Sequence, residues 1–118
     1  MFYMFSEFIQ TKIFSKKWDS LCFNDDDLRQ LELDLLYKGD KYPIIRGTGG
    51  LRKCRVKLKD KGKSGGGRVL YVNFIKLEVV YLITVYSKNE REDITENEKK
   101  EFKDLITVLE DELKKKRK

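Results

Sequence analysis

The chain has 118 residues, with 26 Lys or Arg against 20 Asp or Glu, no histidine and a formal charge of +6 at pH 7. This length supports one domain with one modest core, so residues 1–118 are expected to form a single domain. The absence of histidine excludes Ser–His and Cys–His nucleophiles, and two cysteines without a CxxC motif predict no metal and no cofactor. We interpret Cys22 and Cys54 as small apolar residues of a reduced, cytoplasmic protein, and no apolar run is long enough to predict a membrane partner.

The N-terminal part predicts one strand and two helices. Phe8–Phe14 (FIQTKIF) partly alternates, which favours a strand, and Ser15 could cap a short helix after it. The stretch NDDDLRQLELDLLYKGD predicts a strong helix, because Asn24 is a good N-cap and three aspartates fill the first turn. Leucines spaced by three and four give that helix one buried stripe, and Gly39 lies where it should stop.

The stretch LRKCRVKLK alternates with a period of two, which predicts a strand with one buried and one cationic face. The predicted buried face carries Arg52, Cys54, Val56 and Leu58. The predicted cationic face carries Lys53, Arg55, Lys57 and Lys59.

The C-terminal part predicts a hairpin and a helix. RVLYVNF and VVYLITVY are rich in β-branched and aromatic residues and are joined by the turn IKLE, and the second run reads as a central strand buried on both faces. Thr95 and Glu98 form a capping box for a final helix that ends in the basic tail 114–118, which is expected to fray. The order is therefore β-α-α-β-β-β-α: an α+β domain with a small, mainly antiparallel sheet, two N-terminal helices and one C-terminal helix, the helices packed on one side.

Positive charge is concentrated in one segment. Residues 46–68 carry a net +8, whereas the rest of the chain carries −2, which predicts a surface for a polyanion. Side chains at every second strand position are about 7 Å apart, close to the phosphate spacing of a single nucleic-acid strand. The sequence GKS at 62–64 imitates the end of a phosphate-binding P-loop, but Lys57 stands where that loop needs its first glycine.

The same segment carries a family resemblance. The stretch GTGGLRKCRVKLKDKGKSGGGRVLYV, followed by YLITVYSKNERED and a capped helix, resembles the RelE/HigB toxins of bacterial toxin–antitoxin systems over roughly residues 8 to 112. It is most similar to the HigB-like branch, whose members read G-T-G-G-L-R-K-x-R, G-K-x-G-G-x-R and Y-x-K-N-E. The resemblance implies a RelE/ParE-like fold for the single domain.

The resemblance also implies an activity. Such toxins are ribosome-dependent endoribonucleases that cut mRNA in the ribosomal A site, beside 16S rRNA, and a cognate antitoxin neutralises them. In the HigB-like branch the antitoxin is often a helix-turn-helix protein of the HigA type. Since the 2′-OH of RNA can itself attack the adjacent phosphate, this chemistry requires neither a metal nor a protein nucleophile.

The motif positions imply the site residues. The catalytic candidates are Arg55, Arg68 and Lys88, as phosphate contacts and stabilisers of the transition state, together with Tyr86. The RNA-binding candidates are Arg52, Lys53, Lys57, Lys63 and Asn89. Lys53 and Lys57 are candidates for either the base or an RNA clamp, while Tyr86 and Asn89 could orient a base or ribose.

The sequence departs from the family pattern at Lys57, a position that is usually not basic in the HigB-like branch, and in two further ways. No aromatic residue lies between Tyr86 and Phe102, where RelE places a catalytic tyrosine, and the histidines that some HigB proteins use are absent. Two alternatives therefore stay open: a ParE-like inhibitor of DNA gyrase, and a non-catalytic nucleic-acid-binding module that serves autoregulation.

Overall fold

The structure is a computed structural model that describes residues 6–58, 66–91 and 93–116. The strands are β1 (Glu7–Gln10), β2 (Leu51–Val56), β3 (Gly67–Phe74) and β4 (Val79–Ser87). The helices are α1 (Lys12–Ser20), α2 (Asp25–Lys38) and α3 (Glu96–Lys116), and a single 3₁₀ turn at Ile75–Leu77 joins β3 to β4. This order confirms the predicted β-α-α-β-β-β-α arrangement and the α+β class.

The four strands form one sheet in the order β1-β4-β3-β2. β2, β3 and β4 are antiparallel neighbours, whereas β1 pairs with β4 in parallel. β4 is therefore a central strand, as its continuous apolar sequence predicts. The last residues of β2 and β4 and the first residues of β3 meet at one end of the sheet, and this end carries the predicted site.

Helices cover both faces of the sheet, so the expectation that they pack on one side is wrong. Val69 and Tyr71 of β3 belong to the core beneath α1 and α2, while Leu70 and Val72 belong to the core beneath α3. The reason is that β3 and β4 are apolar at nearly every position, and both faces must then be removed from water.

The N-terminal boundary also differs from the prediction. The strand ends at Gln10 rather than Phe14, and Thr11 rather than Ser15 caps α1. The Thr11 hydroxyl accepts a hydrogen bond from the Phe14 amide (2.9 Å) and donates one to the Ile83 carbonyl of β4 (2.6 Å). A tertiary contact therefore sets the point at which the strand becomes a helix.

The other helix ends agree with the sequence. Asn24 and Asp27 form a capping box at α2, and Thr95 and Glu98 form one at α3. α2 stops at Gly39, whose amide donates to the Leu35 carbonyl at 2.8 Å. The basic tail is helical through Lys116, and 117–118 lie outside the described residues, so fraying of 114–118 stays a prediction. Within the described ranges, no helix is long and apolar enough to cross a membrane.

Candidate functional site

Three of the four catalytic candidates lie together at this end of the sheet. Arg55, Arg68 and Lys88 line one open cavity of about 390 Å³, which also includes Lys57 and Gly66. Arg55 and Arg68 are direct cross-strand partners of β2 and β3. Because like charges directly opposite each other destabilise a sheet, such a pair is typical of a site that binds an anion.

The cavity holds its cations in different ways. Arg68 is only 8% exposed, and its guanidinium donates to the Gly67 carbonyl at 3.1 Å. The Lys88 amide donates to the Gly66 carbonyl at 3.0 Å, which fixes the start of the turn after β4 against the start of β3. Arg55 and Lys57 are exposed. The cavity therefore combines a buried guanidinium with cations that can follow a ligand.

Gly67 lies between two residues that line this cavity, Gly66 and Arg68. A Cβ atom at Gly67 would lie 3.1 Å from side-chain carbons of both Val56 and Leu58. Gly66, beside it, has a φ of +61°, in the left-handed region that favours glycine. The sequence pattern indicates glycine freedom here, and the structure adds that the absent side chain lets the end of β2 lie close to the start of β3.

Among the described residues, Lys57 is the RNA-binding candidate that the structure brings into this cavity, and Arg52, Lys53 and Asn89 lie outside it. Arg52 lies on the opposite face of β2 and donates to the Tyr42 carbonyl at 2.5 Å, so its contact is structural. Lys53 shares the face of Arg55 but is half-buried and outside the cavity. Asn89 lines a neighbouring depression of about 420 Å³. Lys63 lies outside the described residues.

Tyr86 lies apart from the cation cavity. Its side chain is 3% exposed and packs in the core beneath α3, with the Arg91 guanidinium 5.7 Å from the ring centroid. Its hydroxyl has no hydrogen-bond partner within the part of the chain that the structure describes, and burial raises the pKa of this phenol. In this conformation Tyr86 cannot touch an RNA strand, and its catalytic role stays a prediction.

Tyr86 lines an apolar cavity that the sequence analysis did not find. The cavity has a volume of about 450 Å³ and lies between α1, β4 and α3, with Ile83, Ile94 and Phe102 in its walls. Arg91 and Glu98 also line the cavity and pair with each other, and this hydrogen bond lowers the pKa of Glu98 to about 2. Besides Tyr86, the sequence singles out Glu98 of this cavity, as a member of the capping box of α3. The structure adds that the Glu98 carboxylate also pairs with Arg91.

Guanidinium and ammonium groups around one cavity fit a phosphate. An arginine can bind two phosphate oxygens at once with paired N–H donors, and a lysine adds a compact positive charge. The arrangement can hold a phosphodiester and stabilise additional negative charge on it, which is the requirement of a phosphate-centred transition state.

Comparison with known proteins supplies the family. A family model described as the RelE toxin of the RelE/RelB toxin–antitoxin system matches residues 10–117. A doubly substituted E. coli toxin RelE in the free state superposes with a TM-score of 0.51 at 19% identity, over 74% of this chain and 87% of that chain. Isolated E. coli RelE gives a TM-score of 0.47 at 19% identity, over 86% and 99% of the two chains. The intact E. coli RelBE toxin–antitoxin complex gives 0.47 at 22% identity, over 70% and 96%.

Proposed function

Because this chain belongs to the RelE toxin family of toxin–antitoxin systems, we propose that it is a ribosome-dependent endoribonuclease that cuts mRNA in the ribosomal A site. The observation that carries the proposal is the common cavity of Arg55, Arg68 and Lys88. A gyrase inhibitor would have no need of a cluster of phosphate-binding residues at this end of the sheet. The proposed partner on the ribosome is mRNA beside 16S rRNA.

The proposed reaction uses the RNA as its own nucleophile. The 2′-OH attacks the adjacent phosphorus, the P–O5′ bond breaks, and the products are a 2′,3′-cyclic phosphate and a 5′-hydroxyl. Arg55 and Arg68 hold the phosphate oxygens in line and stabilise their charge. Lys88 is the candidate to give a proton to the leaving 5′-oxygen, and Lys57 to take the 2′ proton or to clamp the strand.

A cognate antitoxin is part of the proposal, since the family is defined by toxin–antitoxin pairs. The HigB-like branch and a HigA-like helix-turn-helix antitoxin stay predictions. Direct coverage of the cation cavity by the antitoxin would protect the amides near Arg55 and Lys88 from hydrogen exchange. Unchanged exchange there in the complex would exclude neutralisation by blocking of the cavity.

The experiment is mRNA cleavage on programmed ribosomes, with RNA ends mapped for the wild type, Arg55→Ala and Lys88→Ala. We expect codon-phased cuts in the wild type and a loss of at least about tenfold in each variant, because each removes a charged contact to the reacting phosphate. The matched controls are Arg29→Ala, on an exposed part of α2, and Lys76→Ala, in the turn at the other end of the β3–β4 hairpin. Both controls should cut like the wild type.

Two other outcomes would contradict the proposal. Intact mRNA with gyrase-dependent DNA breaks would assign the chain to the ParE-like alternative. Intact mRNA and intact DNA, with RNA binding retained, would assign it to the non-catalytic alternative.

A further inference from the structure

A second cavity adjoins the cation cavity and shares part of its wall. It has a volume of about 370 Å³, and Arg55, Val56 and Lys57 at the end of β2 line both cavities. Its remaining wall comes from the end of α1, from α2 and from the loop after α2, and it includes Trp18, Gln30, Asp34 and Tyr42. If the cations at the shared wall bind one part of a ligand, the adjoining part of the same ligand can therefore lie in this second cavity.

Trp18 supplies an unsatisfied donor in the wall of this cavity. Its side chain is 5% exposed and stacks on Phe23 with ring centroids 4.0 Å apart. The indole N–H is buried and has no acceptor among the described residues. Buried donors in native proteins nearly always have a partner, so this one indicates an acceptor that a ligand would bring.

Asp34 supplies acceptors in the same wall. One carboxylate oxygen of Asp34 accepts a hydrogen bond from the Tyr42 hydroxyl at 2.6 Å, and this bond raises the pKa of Tyr42 to about 12. Tyr42 therefore stays a donor and fixes the orientation of the carboxylate. The second oxygen of Asp34 has no hydrogen-bond partner in the described part of the chain. It can accept N–H groups from a ligand.

We propose that this second cavity binds a guanine base of the RNA, in a nucleotide next to the phosphate held by the cation cavity. The proposal rests on the RNA-cleaving function proposed above. Guanine offers two adjacent N–H donors, at N1 and N2, to one carboxylate, and its O6 is an acceptor on the same edge for an N–H donor such as that of Trp18. A lysine or arginine side chain of a protein partner would also pair with Asp34. The positive charges of Arg55 and Lys57 at the shared wall disfavour that occupant and suit the phosphate attached to a base.

The first test is the base preference of cleavage on programmed ribosomes. Four mRNAs that differ only in one base beside the cut should show a guanine preference of about tenfold in the wild type, the size expected for a bidentate contact. Asp34→Asn should lose that preference while it keeps cutting at the other three bases. Asp26→Asn, an exposed aspartate at the start of the same helix, should behave as the wild type. Equal cutting at all four bases by the wild type, or an equal loss at all four in Asp34→Asn, would overturn the proposal.

The second test needs no cleavage. Trp18 is the only tryptophan of the chain, so tryptophan emission, excited at wavelengths that the six tyrosines do not absorb, reports on this cavity. Titration with 5′-GMP should change the emission at concentrations about tenfold below those needed for 5′-AMP, 5′-CMP or 5′-UMP, and Asp34→Asn should remove the difference. If GMP binds in this way but ribosomal mRNA stays intact, the guanine site stands and the proposed cleavage fails. A response to a short arginine-containing peptide and to none of the nucleotides would overturn the proposal and assign the cavity to a cationic protein segment.

Discussion

Glu98, in the first turn of α3, makes more charged and polar contacts than a capping residue needs. Its carboxylate accepts from the Arg91 guanidinium, with one N–O distance of 2.9 Å, and from the Thr95 amide at 2.8 Å. These bonds favour the ionised form, so the pKa of Glu98 falls to about 2 from its ordinary value of 4.5. Through Arg91, which lies over Tyr86, this one carboxylate holds the segment after β4 against the sheet.

This pKa predicts an acid-dependent loss of stability. A carboxyl whose pKa is lowered on folding stabilises the protein above its unfolded pKa, and the contribution is lost as the pH falls through the folded pKa. We therefore expect the free energy of unfolding to decrease between about pH 5 and pH 2, and to decrease less in Glu98→Gln. Urea denaturation at pH 6 and pH 2.5 measures both changes.

The control for this prediction is Glu96→Gln. Glu96 lies in the same helical turn, but its carboxylate is 86% exposed and pairs only with Lys99 among the described residues. Its variant should keep the acid sensitivity of the wild type. Identical pH dependence in wild type and Glu98→Gln would show that the Arg91–Glu98 pair does not stabilise the fold.

Arg68 and Tyr86 show what residue-level prediction can and cannot reach. They are cross-strand partners on β3 and β4, and both were chosen from sequence motifs. Arg68 lines the cation cavity, whereas Tyr86 packs in the core beneath α3 with the Arg91 guanidinium over its ring. Strand periodicity specifies which face a side chain occupies, but whether a later segment covers it depends on tertiary packing, which has no local signal.

At the scale of elements, the connection from β1 to α1 depends on one hydroxyl. Thr11 caps α1 and also bonds to β4, so it links a helix end to the sheet. Thr11→Ala should lower the free energy of unfolding by about 1–2 kcal/mol, because it removes the cap and leaves a carbonyl without its donor. Thr11→Ser keeps the hydroxyl and should lose less. Equal stability of the Ala and Ser variants in urea denaturation would contradict this role.

The same connection explains the error in the predicted strand. Phe8 to Phe14 alternates in part, and periodicity alone could not reveal that Thr11 bonds to Ile83, which is 72 residues later. By contrast, α2 and α3 were predictable because caps and leucine spacing lie within each helix. The faces of β2 were predictable in part: Cys54 is buried beneath α1 and α2, and Arg55 is exposed. The strand ends at Val56, however, and the face of Arg55 also carries the half-buried Lys53, while Lys59 lies outside the described residues.

At the scale of the whole molecule, charge and topology act together. The segment 46–68 carries a net +8 while the rest carries −2. Antiparallel pairing of β2, β3 and β4 then places Arg55, Arg68 and Lys88 at one end of the sheet, although they are far apart in the sequence. The charge segment was readable from composition, but the buried state of Arg68 and the neighbouring cavity with Asp34 required the packed helices.

The central claim is that these cations hold a ribonucleotide strand whose own 2′-OH breaks the adjacent bond. The most direct measurement compares ribosome-bound mRNAs that are identical except for a single 2′-deoxy substitution at the nucleotide before the cut. We predict that the substitution abolishes cleavage at that bond, and that the all-ribose mRNA yields a 2′,3′-cyclic phosphate and a 5′-hydroxyl. Undiminished cleavage of the 2′-deoxy mRNA at the same bond would contradict the account.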